Sequence, residues 1–590
     1  MHKLTLVAIL ALTIMLAGLS GPAQQANLPD NPLVVPLDSL PDGLGQRGGT
    51  VIIDDIDNPK TFNPIVEQEN SSNAVTALLN APLIESDGTP AVAESYKISA
   101  DERSITLVLR KGIRFSDGTP VTADDVLFTF NDLLFNPDVD SNKASWLVAG
   151  QFPQVEALDE QTVRITTPVP FPSLLAMIAS VPILPKHLLA DRVHKLNPDV
   201  PAGSFDRAWG VDTPPDQIAG LGPFRLKSYT PGQQVVLERN PFYWKADPKG
   251  TQLPYLDGII LPIVSDDNVR LLRFINGQTD IYPPRPEDLP VIQAKAGEGF
   301  RVLVTPAGVT DINVFAFNED AADPNLRQLF RDVRFRRAMA YAADRESMIG
   351  TDLNGLGEPR YGPGIDSTYW IGDQPGFPSF PFDLDRAGAL LDEIGLKDTN
   401  GDGIREFPAN FPNPGAPLQF DILTVQGSTV LGGDALIYSD DLAKLGIKAT
   451  VTPVSFNTLV DRLIGSRPPQ YQVARISIGG GGDPNFLREI YSSQGELHFW
   501  KFSDGQSQDV AAWQKSVDQI LEQQATAVDL NERFDLLSQF QTLVAQNQPL
   551  IFLYNAQGLE AYRQDRVGNF SGTTLSATLV GSEIIFRQDL

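Results

Sequence analysis

The sequence predicts an α/β protein of more than one domain, and three observations carry that expectation. The first is length: 590 residues exceed what one hydrophobic core organises, so two or three domains are expected. The second is period-two alternation in short runs, as in Ile105, Leu107 and Leu109 on one face of residues 105–110. The third is the interleaving of such runs with capped segments of helical spacing. Strand and helix alternate throughout the second half, which implies α/β layers.

Taken in order, Pro, Gly, Asp and Asn over residues 24–46 read as a flexible leader, and Gly48-Gly49 opens a strand over 50–54. Asn58 to Pro64 is a Pro-bounded turn carrying Phe62 and Asn63, before a helix over 73–84. After the strand of Ile105 comes a tight Asp117-Gly118 turn, then Thr122 and Asp125 as a capping box. The helix they open buries Val126, Phe130, Leu133 and Leu134. Residues 162–166 form a strand and 196–217 a loop; a strand pair follows Gly222-Pro223, and another strand follows Tyr255. Further strands are expected over 311–318, 418–424, 447–451 and 550–554. Helices are expected after Asp332, after Asp383 or Asp385 with a stop at Gly395, over 437–445, and after Asp529.

Composition narrows function. A formal net charge of −27 argues against nucleic acid, which needs clustered Lys and Arg, and against a basic membrane patch. The absence of cysteine removes disulfides, thiolate metal sites and cysteine nucleophiles. Residues 1–23 read as a cleavable signal peptide: a short basic start, the apolar run Leu4 to Leu16, then small residues. Leu19 stands where a lipobox needs cysteine, so thioether anchoring is impossible and a periplasmic, extracytoplasmic protein is expected.

A hydrophobic strand runs through Gln234 to Arg239 into Asn240-Pro241-Phe242-Tyr243-Trp244. Around it, in order, stand Thr61-Phe62-Asn63-Pro64, Ala93-Glu94-Ser95-Tyr96, Thr122-Ala-Asp-Asp125-Val126, Leu184-Pro-Lys-His187 and Gly222-Pro223. Phe330-Arg-Asp-Val-Arg334, Ala338 to Arg345, Leu445-Gly-Ile447 and Gln548-Pro549 complete the series. This ordered set, over roughly residues 48–585, resembles family 5 of the extracellular solute-binding proteins, the peptide/nickel/oligopeptide class that serves ABC importers. The resemblance implies a two-lobe periplasmic-binding-protein clamshell with an extra subdomain inserted in the first lobe. Expected boundaries are 48–85 and 206–307 for the first lobe, 86–205 for the insertion, 308–554 for the second lobe and 555–590 for a return to the first. It also implies a monomer that captures a small solute, best read as a peptide, and hands it to membrane permease subunits without a cofactor. An oligosaccharide or a metal chelate is the alternative within binding proteins, and a secreted hydrolase the alternative of another class.

Candidate ligand-binding residues are Phe62, Asn63, the loop Gly479, Gly480, Gly481, Gly482 and Asp483, and His498 with Trp500. In related peptide binders an acidic residue at the place of Gly480 pairs with the ligand's α-ammonium. Here Asp483 takes that role or the ligand needs no free N-terminus. A flexible turn is the plain alternative for the glycines, and interlobe packing for His498-Phe499-Trp500. Asp398-Thr-Asn400-Gly-Asp402-Gly403 matches the start of a calcium loop, but the twelfth position is Ala409, which favours an Asx/Gly turn. His187, His194 and His498 lack metal-ligand spacing. Arg331, Arg334, Arg336 and Arg337 read as a solvated helix face with one arginine pairing to a carboxylate, and a ligand carboxylate clamp is the sharper alternative. No nucleophile elbow, phosphate loop or zinc motif is present, so a non-enzyme is expected.

Overall fold

The computed structural model describes residues 27–305, 312–365, 369–466, 468–479, 483–501, 510–571 and 582–590. The expected signal peptide lies outside them, as do Gly480, Gly481 and Gly482. Two lobes of mixed α/β structure make the clamshell.

In the first lobe Thr50–Ile52 pairs parallel with Gly258–Pro262, which continues antiparallel to Gln234–Arg239 and Phe224–Thr230. The Asn-Pro-aromatic signature locks this sheet. Asn240 Nδ2 donates to the Gly222 carbonyl at 2.8 Å, and the Trp244 indole donates to Leu221 at 3.1 Å. Gly222 is required here, because a Cβ would run into the Leu78 carbonyl where its own N–H bonds Leu79. Asn240 and Trp244 thus clamp the Leu221-Gly222 segment that leads into the neighbouring strand.

The inserted subdomain is an antiparallel sheet ordered Ala93–Ile98, Ser104–Leu109, Thr162–Thr166, Gln154–Asp159. Ile105, Leu107 and Leu109 point into its core, as their alternation predicts. The Thr122–Asp125 capping box forms, with the Thr122 N–H on Asp125 Oδ2 at 2.9 Å. Its helix, Ala123–Leu127, widens into π-helical turns over Phe128–Leu134 and buries all four expected residues. Thr122→Ala is expected to destabilise the protein by about 1 kcal/mol, the usual cost of an N-cap, read as a lower urea midpoint. An unchanged midpoint would assign the box no energetic role.

The second lobe carries a five-stranded mixed sheet: Lys448–Val454, Gln419–Val425, Val473–Ile478, Ile312–Phe317, Leu550–Phe552. Asp332, Asp383 and Asp529 cap their helices, and Gly395 ends its helix at φ +93°. The chain then re-enters a three-stranded antiparallel sheet, with Gly558–Arg563 between Ile281–Tyr282 and Phe300–Thr305.

Four expectations needed correction, the first being the flexible leader: Leu33–Val34 pairs parallel with Lys245–Ala246, and Leu40 is 5% exposed in the core. The helix read over 73–84 is Asn70–Leu79, capped by Glu69; that over 437–445 starts at Thr429, capped by Ser428. Helix Ala512–Thr526 had no counterpart in the sequence reading. The arginines do not share one solvated face. Arg336 is 2% exposed and pairs with Glu319 at 3.2 Å, while Arg337 caps the Gln546 carbonyl and Arg334 pairs with Asp332.

Candidate functional site

Between the lobes lies a cavity of about 720 Å³. The first lobe and its insertion supply Pro64, Asn73, Ser145, Trp146 and Ser180; the second supplies Asn313, Ser477, Gly479, Phe486 and Glu489. Among its described lining residues Glu489 alone is charged. Most of the wall is apolar or a neutral amide or hydroxyl, a surface that orients a ligand by directed hydrogen bonds.

The expected loop sits one step away in sequence. Phe62 is 0% exposed and meets Tyr229 edge-on at 5.7 Å in the first-lobe core. Asn63 is equally buried, donating to the Phe205 carbonyl at 3.2 Å and accepting the Ile65 N–H at 3.1 Å. These two residues anchor the turn; the next two, Pro64 and Ile65, line the cavity. His498 and Trp500 are also interior, their rings 4.0 Å apart, with Trp500 1% exposed beside Tyr491 and Phe499. Leu497 just before them lines the cavity.

Gly479 lines the cavity at the end of its strand. Asp483 is already engaged. Its Oδ1 accepts the Ser173 hydroxyl at 2.7 Å from across the cleft and Arg533 at 2.9 Å from its own lobe. Three more second-lobe side chains reach the insertion. Glu489 accepts the Ser145 N–H and hydroxyl at 2.8 and 2.7 Å, Asn485 donates to the Ser145 carbonyl at 2.7 Å, and Arg488 donates to the Leu147 carbonyl at 2.6 Å. Residues 483–489 therefore form a clasp between the lobes, and burial pushes the Glu489 carboxyl up despite its bonds to Ser145. Sequence reading missed Asn73, Trp146, Asn313 and Glu489. Each sits in a different element, and no local pattern marks them as neighbours.

Behind the wall, Arg475 pairs with Asp434 at 2.7 Å and donates to Asn313 Oδ1 at 3.0 Å, fixing a cavity-lining amide from the interior. The remaining candidates separate. Asp398, Asp402 and Glu406 hold carboxylate oxygens within 4.8 Å of one another. Asp398 nevertheless accepts the Gly401 and Gly403 N–H groups, and Glu406 accepts Thr399. Asn400 turns its amide donors on Asp402 and Glu406, the arrangement of an Asx/Gly turn. His187 pairs with Asp117 at 2.7 Å, and His194 contacts the Val200 carbonyl, each far in sequence from His498.

Burial pushes His498 down to about 3, against the pull of its bond to the Ile490 carbonyl. The folded value lies below the unfolded value of about 6.5, so the unfolded chain takes the proton first. The stability this group allows above pH of about 6.5 is lost as pH falls toward 3. His498→Phe is expected to flatten that part of the pH–stability curve; an unchanged acid limb would overturn the assignment.

The two-lobe fold is shared with known proteins. Residues 88–497 match the model of the bacterial extracellular solute-binding proteins, family 5 (middle). A probable ABC transporter-binding protein of Deinococcus radiodurans is 31% identical over 456 residues, 74% of each chain. The oligopeptide-binding protein AppA of Bacillus subtilis, solved with a nonapeptide, superposes with a TM-score of 0.78 at 23% identity, over 92% of this chain and 99% of that one. MelB of Agrobacterium fabrum, solved with stachyose, gives 0.80 at 25% identity, over 95% and 88%. This chain belongs to family 5 of the bacterial extracellular solute-binding proteins.

Proposed function

We propose that the protein captures a short peptide between its lobes and delivers it to the membrane subunits of an ABC importer. The observation that carries this reading is the cavity of about 720 Å³, walled from both lobes and bridged by the clasp. Its volume falls in the range of about 300–1,000 Å³ usual for small-ligand sites. A solute held there is sensed by both lobes at once, so binding and closure are linked. The protein acts outside the cytoplasmic membrane as a monomer, exported by a signal peptide over 1–23 and without a thioether anchor. It binds rather than transforms its ligand. In this reading its lobes divide near residues 86, 206, 308 and 555. With Gly480 in the acidic position and Asp483 committed to Arg533 and Ser173, a free α-ammonium is not required.

One observation favours a second reading, an oligosaccharide. The neutral amides Asn70, Asn73 and Asn142 in the cavity wall suit sugar hydroxyls. Mass spectrometry of solute released from natively purified protein decides between them. Intact peptides support the proposal, an intact sugar replaces it with the second reading, and a turned-over product would favour a hydrolase.

A further inference from the structure

Asn313 sits in strand Ile312–Phe317, directly opposite Ser477 of the antiparallel neighbour Val473–Ile478. Both residues line the main cavity. A side-chain amide has a donor end and an acceptor end, and the groups behind the wall decide how this one is turned. Arg475 Nη2 donates to Asn313 Oδ1 at 3.0 Å, and the Ser477 hydroxyl donates to the same oxygen at 2.5 Å. A guanidinium carries only donors, so the oxygen of the amide, not its nitrogen, must face it. The arginine cannot yield, because Arg475 is 0% exposed and is itself held by Asp434 at 2.7 Å and by the Tyr554 hydroxyl at 3.0 Å.

Asn313 Oδ1 thus has both lone pairs engaged and takes no donor from a ligand. Its Nδ2 donates to no acceptor among the described residues. Asn313 is only half-buried, so this donor stands open rather than sealed in the interior. Asn313 also borders a narrow recess beside Arg360 and Trp370, but that recess leaves no room for a water molecule. The main cavity is therefore the space the donor serves. Among the described lining residues that cavity offers no cation, and Glu489 is its one charge. A ligand anion buried there would go unpaired, so the oxygen that suits this donor is a neutral one.

We propose that Asn313 is a specificity-determining donor of this site. Its Nδ2 takes a neutral acceptor oxygen of the solute, a peptide carbonyl or a sugar hydroxyl, and Arg475 is the positioning residue that keeps the amide turned that way. This rests on the solute-binding reading and holds for either class of solute. An amide free to rotate would meet donors and acceptors alike. One locked from behind rejects a solute that presents an N–H at that point, because two donors would then face each other with neither bonded.

Two probes without charge test it, acetyl-trialanine amide and stachyose, on full-length protein with isotope-labelled asparagine side chains. Calorimetry reports whether each probe binds. The Asn313 amide resonances, assigned by their absence in Asn313→Asp, report whether the donor is used, and saturation with a bound probe is expected to move them downfield. Asn313→Asp keeps the oxygen that Arg475 holds and puts an acceptor of the same shape where the donor stood. It is expected to weaken that probe at least about tenfold, while the urea midpoint stays at the parent value or rises. Asn313→Leu, which adds no charge, is expected to weaken the probe as well.

A probe that binds without moving these resonances, or that binds Asn313→Asp as tightly as the parent, overturns the donor and leaves the solute reading standing. Binding and movement with stachyose alone keep the donor and replace the peptide reading. Binding of neither probe removes both.

Discussion

Replacing Arg475 with leucine is expected to destabilise the second lobe by about 3–5 kcal/mol, the range for stripping one partner from a buried ion pair. Arg475 and Asp434 are both 0% exposed. The guanidinium donates to Asp434 Oδ2 through Nε at 2.9 Å and Nη2 at 2.7 Å, and Nη2 also meets Asn313 Oδ1 and the Tyr554 hydroxyl at 3.0 Å. Leucine fills part of the volume but leaves the Asp434 carboxylate in an interior with no cation. The double variant Arg475→Leu/Asp434→Leu removes both charges and is expected to recover much of the loss. Urea unfolding of the two single variants and the double one measures this. A single variant within about 1 kcal/mol of the parent would show that the pair contributes little there.

Asp352 gives the same cluster a pH signature. Burial first, and then Asp434, push its carboxyl up to about 7, while Arg475 opposes them. An acid raised in the folded state binds its proton more tightly there than in the unfolded chain. Its favourable contribution is therefore present at low pH and is lost as pH rises from about 4 through about 7. Asp352→Asn is expected to flatten that part of the curve, with an unchanged slope between pH 5 and 8 as the contrary result.

How much of this was legible in the sequence depends on the range of the interactions. Caps at Thr122, Asp332, Asp383 and Asp529 were readable because each is made within three residues along the chain. The face of Ile105, Leu107 and Leu109 was readable because strand geometry alone dictates it. The helix at Thr429 was read too short because Gly432 and Gly433 weaken its first turns. There a Cβ on Gly433 would strike the Asp352 carboxylate, so packing wins over propensity. Helix Ala512–Thr526 escaped because it buries glutamines: Gln514 bonds the Tyr491 carbonyl, and Gln524 receives Arg533. The cavity was legible only as a neighbourhood. Phe62 and Trp500 were singled out as aromatics that could meet a ligand, yet an aromatic fills a core as readily as it faces a ligand. Ser145–Glu489 and Ser173–Asp483 join residues 344 and 310 positions apart, and no local pattern encodes such a pair.

That long-range clasp leads to the largest expected effect on function. Ser145→Ala/Ser173→Ala is expected to weaken binding of the co-purifying solute by about 10–100-fold. Both hydroxyls donate across the cleft to carboxylates, Glu489 at 2.7 Å and Asp483 at 2.7 Å. Neither substitution breaks the Asp483–Arg533 pair within the second lobe. A hydrogen bond to a charged group contributes about 1.5–3 kcal/mol, part of which water returns when the lobes open. A net loss of about 1.4–2.8 kcal/mol for the two is a factor of about 10–100 in the closure equilibrium. Because only the closed form encloses the solute, the apparent dissociation constant rises as the closed population falls. Small-angle scattering separates this from damage to the site. The ligand-free variant should show a larger radius of gyration than the parent and return to the parent value at saturating solute. Weaker binding with no change in radius would place the effect inside the cavity, and unchanged affinity and radius together would remove the clasp from the closing mechanism.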